Sequence, residues 1–459
     1  MRFAVVGGGI TGLAAAWQLA TERPDAEVTV FEPYRLGGKI LTEELAGRRV
    51  DCGPDAFITR VPDAAQLCLE IGVAGELVAP AAGRAQLWYR GRLRDLPDGL
   101  VLGVPGRLSS LLAARILSPR GLARAAADLF LPAGEWRGDV SVADLVGRRF
   151  GPEVVDRLVD PLLGGIHAGS TRRLSAEATT PQLVEVARSE RSLLLGLRGF
   201  ARPGTGRRLS PAPGAVFSAP RGGMGRLVEC LADALDSKRV KVVRSPVTAV
   251  RAGAAGRGLF VEPGGHFDGA VLAVPAGDAA RVIGEASPRV VVELAAIRFA
   301  SVAIVTLVYP AEAARLSEGT SGFLVPRTEN RLLTACSFGS AKWPHWSARG
   351  NVVLRASVGR DGEDGAQRLD DSALVDRVHA ELGEALGVRA EPVAWRVHRW
   401  PMSFPQYDVG HLGRVARIEA LMAGDLPHAA VAGSSYHGSG IPACIGSGRR
   451  AASAIIAGA

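Results

Sequence analysis

Six residues near the start of the chain, Gly7-Gly8-Gly9-Ile10-Thr11-Gly12, have the G-x-G-x-x-G spacing that receives a pyrophosphate on backbone amides. Gly7 permits the tight turn, Gly9 lets the backbone approach the phosphates, and Gly12 lets helix and strand pack closely. Glu32, followed by Pro33, ends an apolar run twenty residues past Gly12, where a carboxylate accepts the ribose hydroxyls of a dinucleotide. Other chemistries find no pattern. The eight histidines show neither H-x-x-x-H nor a Cys/His cluster, so no metal is expected, and the absence of a G-x-S-x-G elbow argues against a hydrolase.

The glycines need a strand before them and a helix after. Residues 3–6 read as that strand, an alanine-rich helix follows, and residues 27–31 read as the next strand. A second piece starts at Ala219-Pro-Arg-Gly-Gly-Met-Gly225, with an amphipathic helix at 226–236 and strands at 240–244, 247–250, 259–262 and 270–274. A third has a strand at 429–432, a turn through Gly433 and Gly438, and a last helix at 441–457. At 459 residues the chain exceeds the size of a single core. The expected fold is α/β: a discontinuous Rossmann-type dinucleotide domain (1–60, 218–285 and 406–459), a mixed-sheet substrate-binding domain (61–95 and 286–405), and a helical lobe with linker (96–217). Strands are expected in the substrate domain at 301–309, 332–338, 352–358 and 394–400. Residues 100–131 have a basic helical pattern that either packs or lies on a membrane surface, and proline-rich 203–220 reads as a linker.

Hydrophobic residues at 47% against 22% charged indicate a globular chain, not a disordered one. A net charge of +8 suits a solvated basic surface or anionic ligands; with 5% aromatics and no basic stripe, nucleic acid is not an expected partner. Five scattered cysteines without C-x-x-C spacing and no secretory pattern lead to an expected cytoplasmic setting, and no apolar run is long enough to predict a spanning helix.

Arg35-Leu-Gly-Gly-Lys39 resembles the R-x-G-G-R/K element of amine-oxidase-type flavoproteins, and Asp51-Cys-Gly-Pro-Asp55 resembles the turn beside their isoalloxazine. Together they imply FAD. Further along, Asp160-Pro-Leu-Leu-Gly-Gly-Ile-His-Ala-Gly, Gly322-Phe-Leu-Val-Pro, Trp400-Pro-Met-Ser-Phe-Pro-Gln-Tyr-Asp-Val-Gly-His and Gly433-Ser-Ser-Tyr-His-Gly-Ser-Gly-Ile-Pro-Ala-Cys-Ile extend the likeness over nearly the whole chain. They resemble the porphyrinogen oxidases of haem biosynthesis, in the actinobacterial and firmicute coproporphyrinogen III oxidase branch formerly called protoporphyrinogen oxidase.

The resemblance implies FAD- and oxygen-dependent six-electron oxidation of coproporphyrinogen III, with hydrogen peroxide released and no side-chain base required. Protoporphyrinogen IX as substrate, another flavoenzyme such as an amine oxidase or carotenoid desaturase, and a flavin-bound interaction protein remain alternatives. It places Gly7 to Gly12 on the pyrophosphate, Glu32 on the ribose, Lys39 with Gly53, Pro54, Asp55 and Ala56 along the flavin, Val247 at the adenine, and Trp400 with Gly440, Ile441 and Pro442 at the C-terminal flavin contacts. Gly322, Phe323 and Leu324 match the family's pocket-facing strand, or are ordinary sheet core. Arg60 is either a propionate partner or a solvated arginine; where some firmicute relatives have a following lysine, this chain has Val61. His167 and His437 are read as making backbone or core hydrogen bonds. Contact with a membrane or with haem-pathway enzymes through the helical lobe is the further partner expectation.

Overall fold

Phe3, Ala4, Val5 and Val6 are all buried, as a central parallel strand covered on both faces requires. In the computed structural model, which describes residues 1–134, 136, 138–198, 216–253, 257–314, 316–347, 350–363 and 365–458, this strand (Arg2–Val6) is the middle of a five-stranded parallel sheet. The order is Lys241–Val243, Glu27–Phe31, Arg2–Val6, Gly269–Leu272, Ala429–Val431. Three distant stretches of chain therefore make one sheet. Side chains alternate across it: Phe3 and Val5 join a core with the helices Ile10–Glu22, Gly225–Ser237 and Ile441–Gly458, while Ala4 and Val6 join one with Ala276–Ile283, Pro288–Ala295 and His411–Asp425.

A seven-stranded sheet forms the second body, in the order Ala394–Pro405, Phe299–Pro310, Asn351–Val358, Leu333–Phe338, Thr320–Leu324, Arg84–Tyr89, Arg92–Asp95. Only Thr320–Leu324 against Arg84–Tyr89 is parallel. Helix Asp371–Leu386 buries Leu374, Val378 and Leu382 in the core beneath it. The third body is helical and has its own core, with Leu111, Leu145, Phe150, Leu183 and Leu194 fully or almost fully buried.

The packing divides two of the expected segments. Within 61–95, helix Asp63–Glu70 buries Leu67 and Cys68 in the core that holds Phe3, and only from Arg84 does the chain enter the large sheet. Within 286–405, Val290 and Leu294 pack with Ile418 and Met422 on the nucleotide side. The helical pattern expected at 100–131 begins late. Leu102 (φ 52°) and Gly103 (φ 84°) turn the chain between two short paired strands, and helices follow at Leu108–Ala114 and Pro119–Ala126. Most of the expected linker, 203–215, lies outside the described residues. Its end is not linker but the strand Phe217–Pro220, paired with Phe57–Ile58 and Leu77–Val78.

Candidate functional site

Gly12 fixes the geometry of the first turn. A Cβ there would stand 1.9 Å from the Gly7 carbonyl oxygen, so helix and loop touch backbone to backbone. Gly7 itself has φ 103°, a left-handed value that glycine favours. At Gly9 a Cβ would meet nothing within 4 Å, and helix Ile10–Glu22 carries no side-chain cap at this end. Unfilled space in front of an uncapped helix N-terminus fits a phosphate group. Ile10 and Thr11 are both buried behind it.

The neighbouring loop is held tightly. Glu32 accepts from the Gly8 amide (2.8 Å) and, across Pro33, from the Tyr34 amide (2.9 Å). Each carboxylate oxygen keeps a further acceptor site, so a ribose hydroxyl can still be received. The Gly8 carbonyl takes the Gly37 amide (2.8 Å), and Arg35 folds back on the Ile40 carbonyl (3.0 Å), which shapes the Gly-Gly-Lys turn. Lys39 donates its ammonium to the Ser403 carbonyl, and burial holds its pKa below the usual lysine value. The Glu32 amide bonds to the Val243 carbonyl (3.0 Å), which sets buried Val247 a few residues beyond the carboxylate's edge of the sheet.

The C-terminal segment reaches the same place. A Cβ on Gly448 would lie 2.2 Å from the Thr11 carbonyl oxygen and one on Gly433 would lie 3.6 Å from Thr11 Oγ1. The Cys444 thiol donates to the Ser439 carbonyl (3.8 Å) within the same segment. Helix Ile441–Gly458 thus sets Gly440, Ile441 and Pro442, with the latter two buried, beside the first glycine turn.

Between these and the large sheet lies the turn Gly53-Pro54-Asp55-Ala56. A Cβ on Gly53 would be 2.1 Å from the Lys39 carbonyl oxygen. Trp400 donates its indole N–H to the Cys52 carbonyl (2.9 Å). The Asp55 carboxylate accepts from Lys342 Nζ (2.9 Å) and Trp343 Nε1 (3.1 Å), with Arg355 at 3.4 Å. Burial opposes its charge, yet Lys342 and Arg355 outweigh that and hold the carboxyl down at about 2. Asp55 therefore anchors the turn, and its carboxylate is fully engaged by protein partners. Asp51 faces the other way, accepting from the Met224 amide (2.8 Å), and burial pushes its carboxyl up to about 6.

The residues expected at a substrate separate. Phe323 is 2% exposed and makes edge contacts with Trp88 and Phe338, so its ring packs within the sheet core. Strand alternation turns Gly322 and Leu324 to the opposite face. Gly322 packs on the Cys336 carbonyl, whereas half-buried Leu324 faces the end of helix Asp160–His167 at Gly165, beside exposed Ile166. Arg60, just after strand Phe57–Ile58, is half-buried with its Nε unpartnered among the described residues, and burial lowers its pKa. His167 is pushed down to about 4 by burial, and its carbonyl accepts from Gln406 Nε2 (3.1 Å). His437 differs from expectation: it is exposed, with Nε2 2.7 Å from the Glu419 carboxylate.

The residues that the motifs missed are Lys342, Trp343 and Arg355 on Asp55, and Thr42 and Met224 on Asp51. Met224 lies in the 219–225 segment and the others in no motif; all stand nine to three hundred positions from their aspartates, so spacing carries no signal of the pairing.

Residues 10–456 match the family described as flavin containing amine oxidoreductase. The chain is 33% identical over 457 residues to coproporphyrinogen III oxidase of Bacillus subtilis (strain 168), covering 98% of this chain and 96% of that protein. It is 37% identical over 462 residues to coproporphyrinogen III oxidase of Mycobacterium tuberculosis (strain ATCC 25618 / H37Rv), covering 99% and 97%. Among solved structures, a protein from Exiguobacterium sp. 255-15 assigned to the protoporphyrinogen oxidases superposes with a TM-score of 0.87 at 30% identity, covering 99% of this chain and 98% of that one.

Proposed function

The chain belongs to the coproporphyrinogen III oxidase family of flavin-containing amine oxidoreductases, and from that premise we propose that it oxidises coproporphyrinogen III to coproporphyrin III in haem biosynthesis, using FAD and molecular oxygen. The observation that carries the reading is the meeting at Thr11 of the N-terminal glycine turn and the C-terminal helix, in a chain matched end to end by coproporphyrinogen III oxidases. Bound FAD supplies hydride acceptance from the macrocycle and reoxidation by oxygen with release of hydrogen peroxide.

The protein's own part is to bind, orient and exclude water. Gly7 to Gly12 would hold the pyrophosphate, Glu32 the ribose, and the Val247 backbone the adenine; Lys39, Gly53 to Ala56, Trp400 and Gly440 to Pro442 would line the flavin. Leu324 and Ile166 offer apolar contact to a flat tetrapyrrole between the large sheet and the helical lobe. Arg60, with an unpartnered guanidinium nitrogen, would receive a propionate. Four propionates on coproporphyrinogen against two on protoporphyrinogen make such a partner more valuable to the former. His167, kept neutral at pH 7 by burial, adds no charge beside the macrocycle. A cytoplasmic setting belongs to the same reading, supported by five free cysteines; no helix of the described residues is long and apolar enough to cross a membrane.

The test is turnover of coproporphyrinogen III and protoporphyrinogen IX, added anaerobically and started with oxygen, followed by porphyrin fluorescence and peroxide. Faster fluorescence with coproporphyrinogen, with three peroxides per porphyrin, is expected. Silence with both substrates from flavin-loaded protein would sink the assignment.

A further inference from the structure

Glu43, Cys52 and His398 each bring one donor atom to within 4.8 Å of the other two. They come from separate pieces of the fold: Glu43 from the hairpin strand Thr42–Leu45, Cys52 from the end of its partner Arg48–Asp51, and His398 from the outer strand Ala394–Pro405 of the large sheet. We propose that these three residues form a binding site for one thiophilic divalent cation, of which zinc is the type, clamping the hairpin to the substrate sheet.

Carboxylate, thiolate and imidazole are the donor set that zinc prefers. His398 Nε2 already stands 3.3 Å from Glu43 Oε2. Two ligands about 2.0–2.1 Å from a tetrahedral zinc lie roughly 3.3–3.4 Å apart, so this pair is spaced as ligands are. The sulfur's longer bond would set it roughly 3.5 Å from each of the other two donors, inside the 4.8 Å that spans all three. The Cys52 thiol makes a long contact of 3.7 Å to the Val50 carbonyl, and His398 Nδ1 is buried without a hydrogen-bond partner among the described residues. Thiolate and carboxylate together neutralise a dication, while water takes the fourth position.

The charges around the site set its strength. Arg396 lies 3.9 Å from Glu43, and Arg355 acts on both Cys52 and His398, so these cations weaken the site, while Asp51 opposes them at Cys52. Burial pushes the thiol up to about 12 and holds the imidazole below its usual value. At an ordinary thiol's pKa of about 8.5 the unliganded sulfur is mostly protonated near pH 7, so the ion must displace one proton, from sulfur. No spacing in the sequence announces the site, because the three positions meet only in the fold.

The experiment is a zinc titration of the full-length, flavin-loaded protein after chelator treatment, in competition with a chromophoric chelator, with proton release followed in dilute buffer. One equivalent should bind, releasing about one proton near pH 7. Cys52→Ser and His398→Ala should each weaken binding by at least about 10-fold, since loss even of outer-shell partners costs roughly 10- to 100-fold. Binding unchanged in both variants, or uptake by the parent without proton release, overturns the proposal. The proton count needs no variant, so it stands even if a substitution unfolds the chain. Porphyrinogen turnover is not a readout here, so this site and the oxidase reading fail independently.

Discussion

Gly9 and Gly12 lie three residues apart in one loop, yet the structure gives alanine opposite consequences at the two positions. At Gly12 the new carbon would stand 1.9 Å from the Gly7 carbonyl oxygen and 3.2 Å from Val5 Cγ1, more than an ångström inside the 3.0 Å that real Cβ atoms keep. The obstructing atom is backbone, so the loop itself must move. Overpacking of this kind costs about 1–3 kcal/mol, and Gly12→Ala should fall at or above the upper end. At Gly9 nothing lies within 4 Å, and φ −70°, ψ 173° is extended backbone open to alanine. Gly9→Ala should therefore change the stability of the flavin-free protein by no more than about 0.5 kcal/mol. Its methyl nevertheless projects into the space assigned to the pyrophosphate, and an affinity loss of at least about 10-fold, or roughly 1.4 kcal/mol, is expected. Thermal unfolding of the stripped proteins and FAD titration by fluorescence quenching measure the two quantities separately. Gly9→Ala binding FAD as tightly as the parent would refute the placement of the phosphates, whatever the result at Gly12.

Phe323→Ala should destabilise the protein by about 3–4 kcal/mol in denaturant unfolding, as loss of a buried aromatic does, with a proportionate loss of active protein; a selective rise in KM with unchanged stability would return this ring to the substrate site. Leu324→Ala should raise KM for the porphyrinogen by more than the accompanying loss of folded protein explains, because the side chain packs only in part on the helical core. Arg60→Ala should raise KM more for coproporphyrinogen III than for protoporphyrinogen IX, and an equal effect on both speaks against a propionate contact. Asp55 and Asp51 give opposite pH slopes. Asp55, lowered to about 2 from 3.8, supports the fold above about pH 4 and loses that support as pH falls towards 2. Asp51, raised to about 6, binds its proton more tightly folded than unfolded, so its contribution to stability declines as pH rises from about 4 to 6. Urea unfolding of Asp51→Asn should lack that decline.

The strand, glycine turn and helix at the start of the chain were legible because their signals are local. A glycine turn, the strand before it and the carboxylate after the next strand all fall within residues 1–32, and each motif dictates its own backbone. The C-terminal Gly-Ser-Gly-Ile-Pro segment was readable too, although only the fold shows why it belongs there: Gly448 lets the last helix touch Thr11. Strand positions in the large sheet came from alternation, and the same alternation, followed one step further, separates Phe323 from Gly322 and Leu324. What could not be read is what depends on long-range pairing. Asp55 looks like any turn aspartate until Lys342 and Arg355 arrive from the other domain. His437 sits in a motif, but its partner Glu419 comes from helix His411–Asp425, outside that motif. Strand Phe217–Pro220 was lost in a proline-rich stretch because its ladder partners, Phe57–Ile58 and Leu77–Val78, lie well over a hundred residues earlier.

Asp51 and Asp55, four residues apart, explain how the two domains are held in register across the active site. Asp51 receives the Met224 amide and the Thr42 hydroxyl, tying the turn to the N-terminal end of Gly225–Ser237 in the nucleotide domain. Asp55 receives Lys342, Trp343 and Arg355, all from the large sheet and the helix and loop beside it. Arg355 also donates to the Gly53 carbonyl, inside the turn itself. A flavin lying along Gly53 to Ala56 would thus be positioned by a strip of backbone whose two ends are fixed to different bodies. Leu324, proposed above as a substrate contact, belongs to the same sheet that carries Arg355, so on that proposal this one turn links the macrocycle's wall to the flavin's. Loosening Asp55 should therefore disturb the geometry between the reacting partners more than the affinity for either one, since buried ion pairs broken on one side shift the groups they leave unpaired.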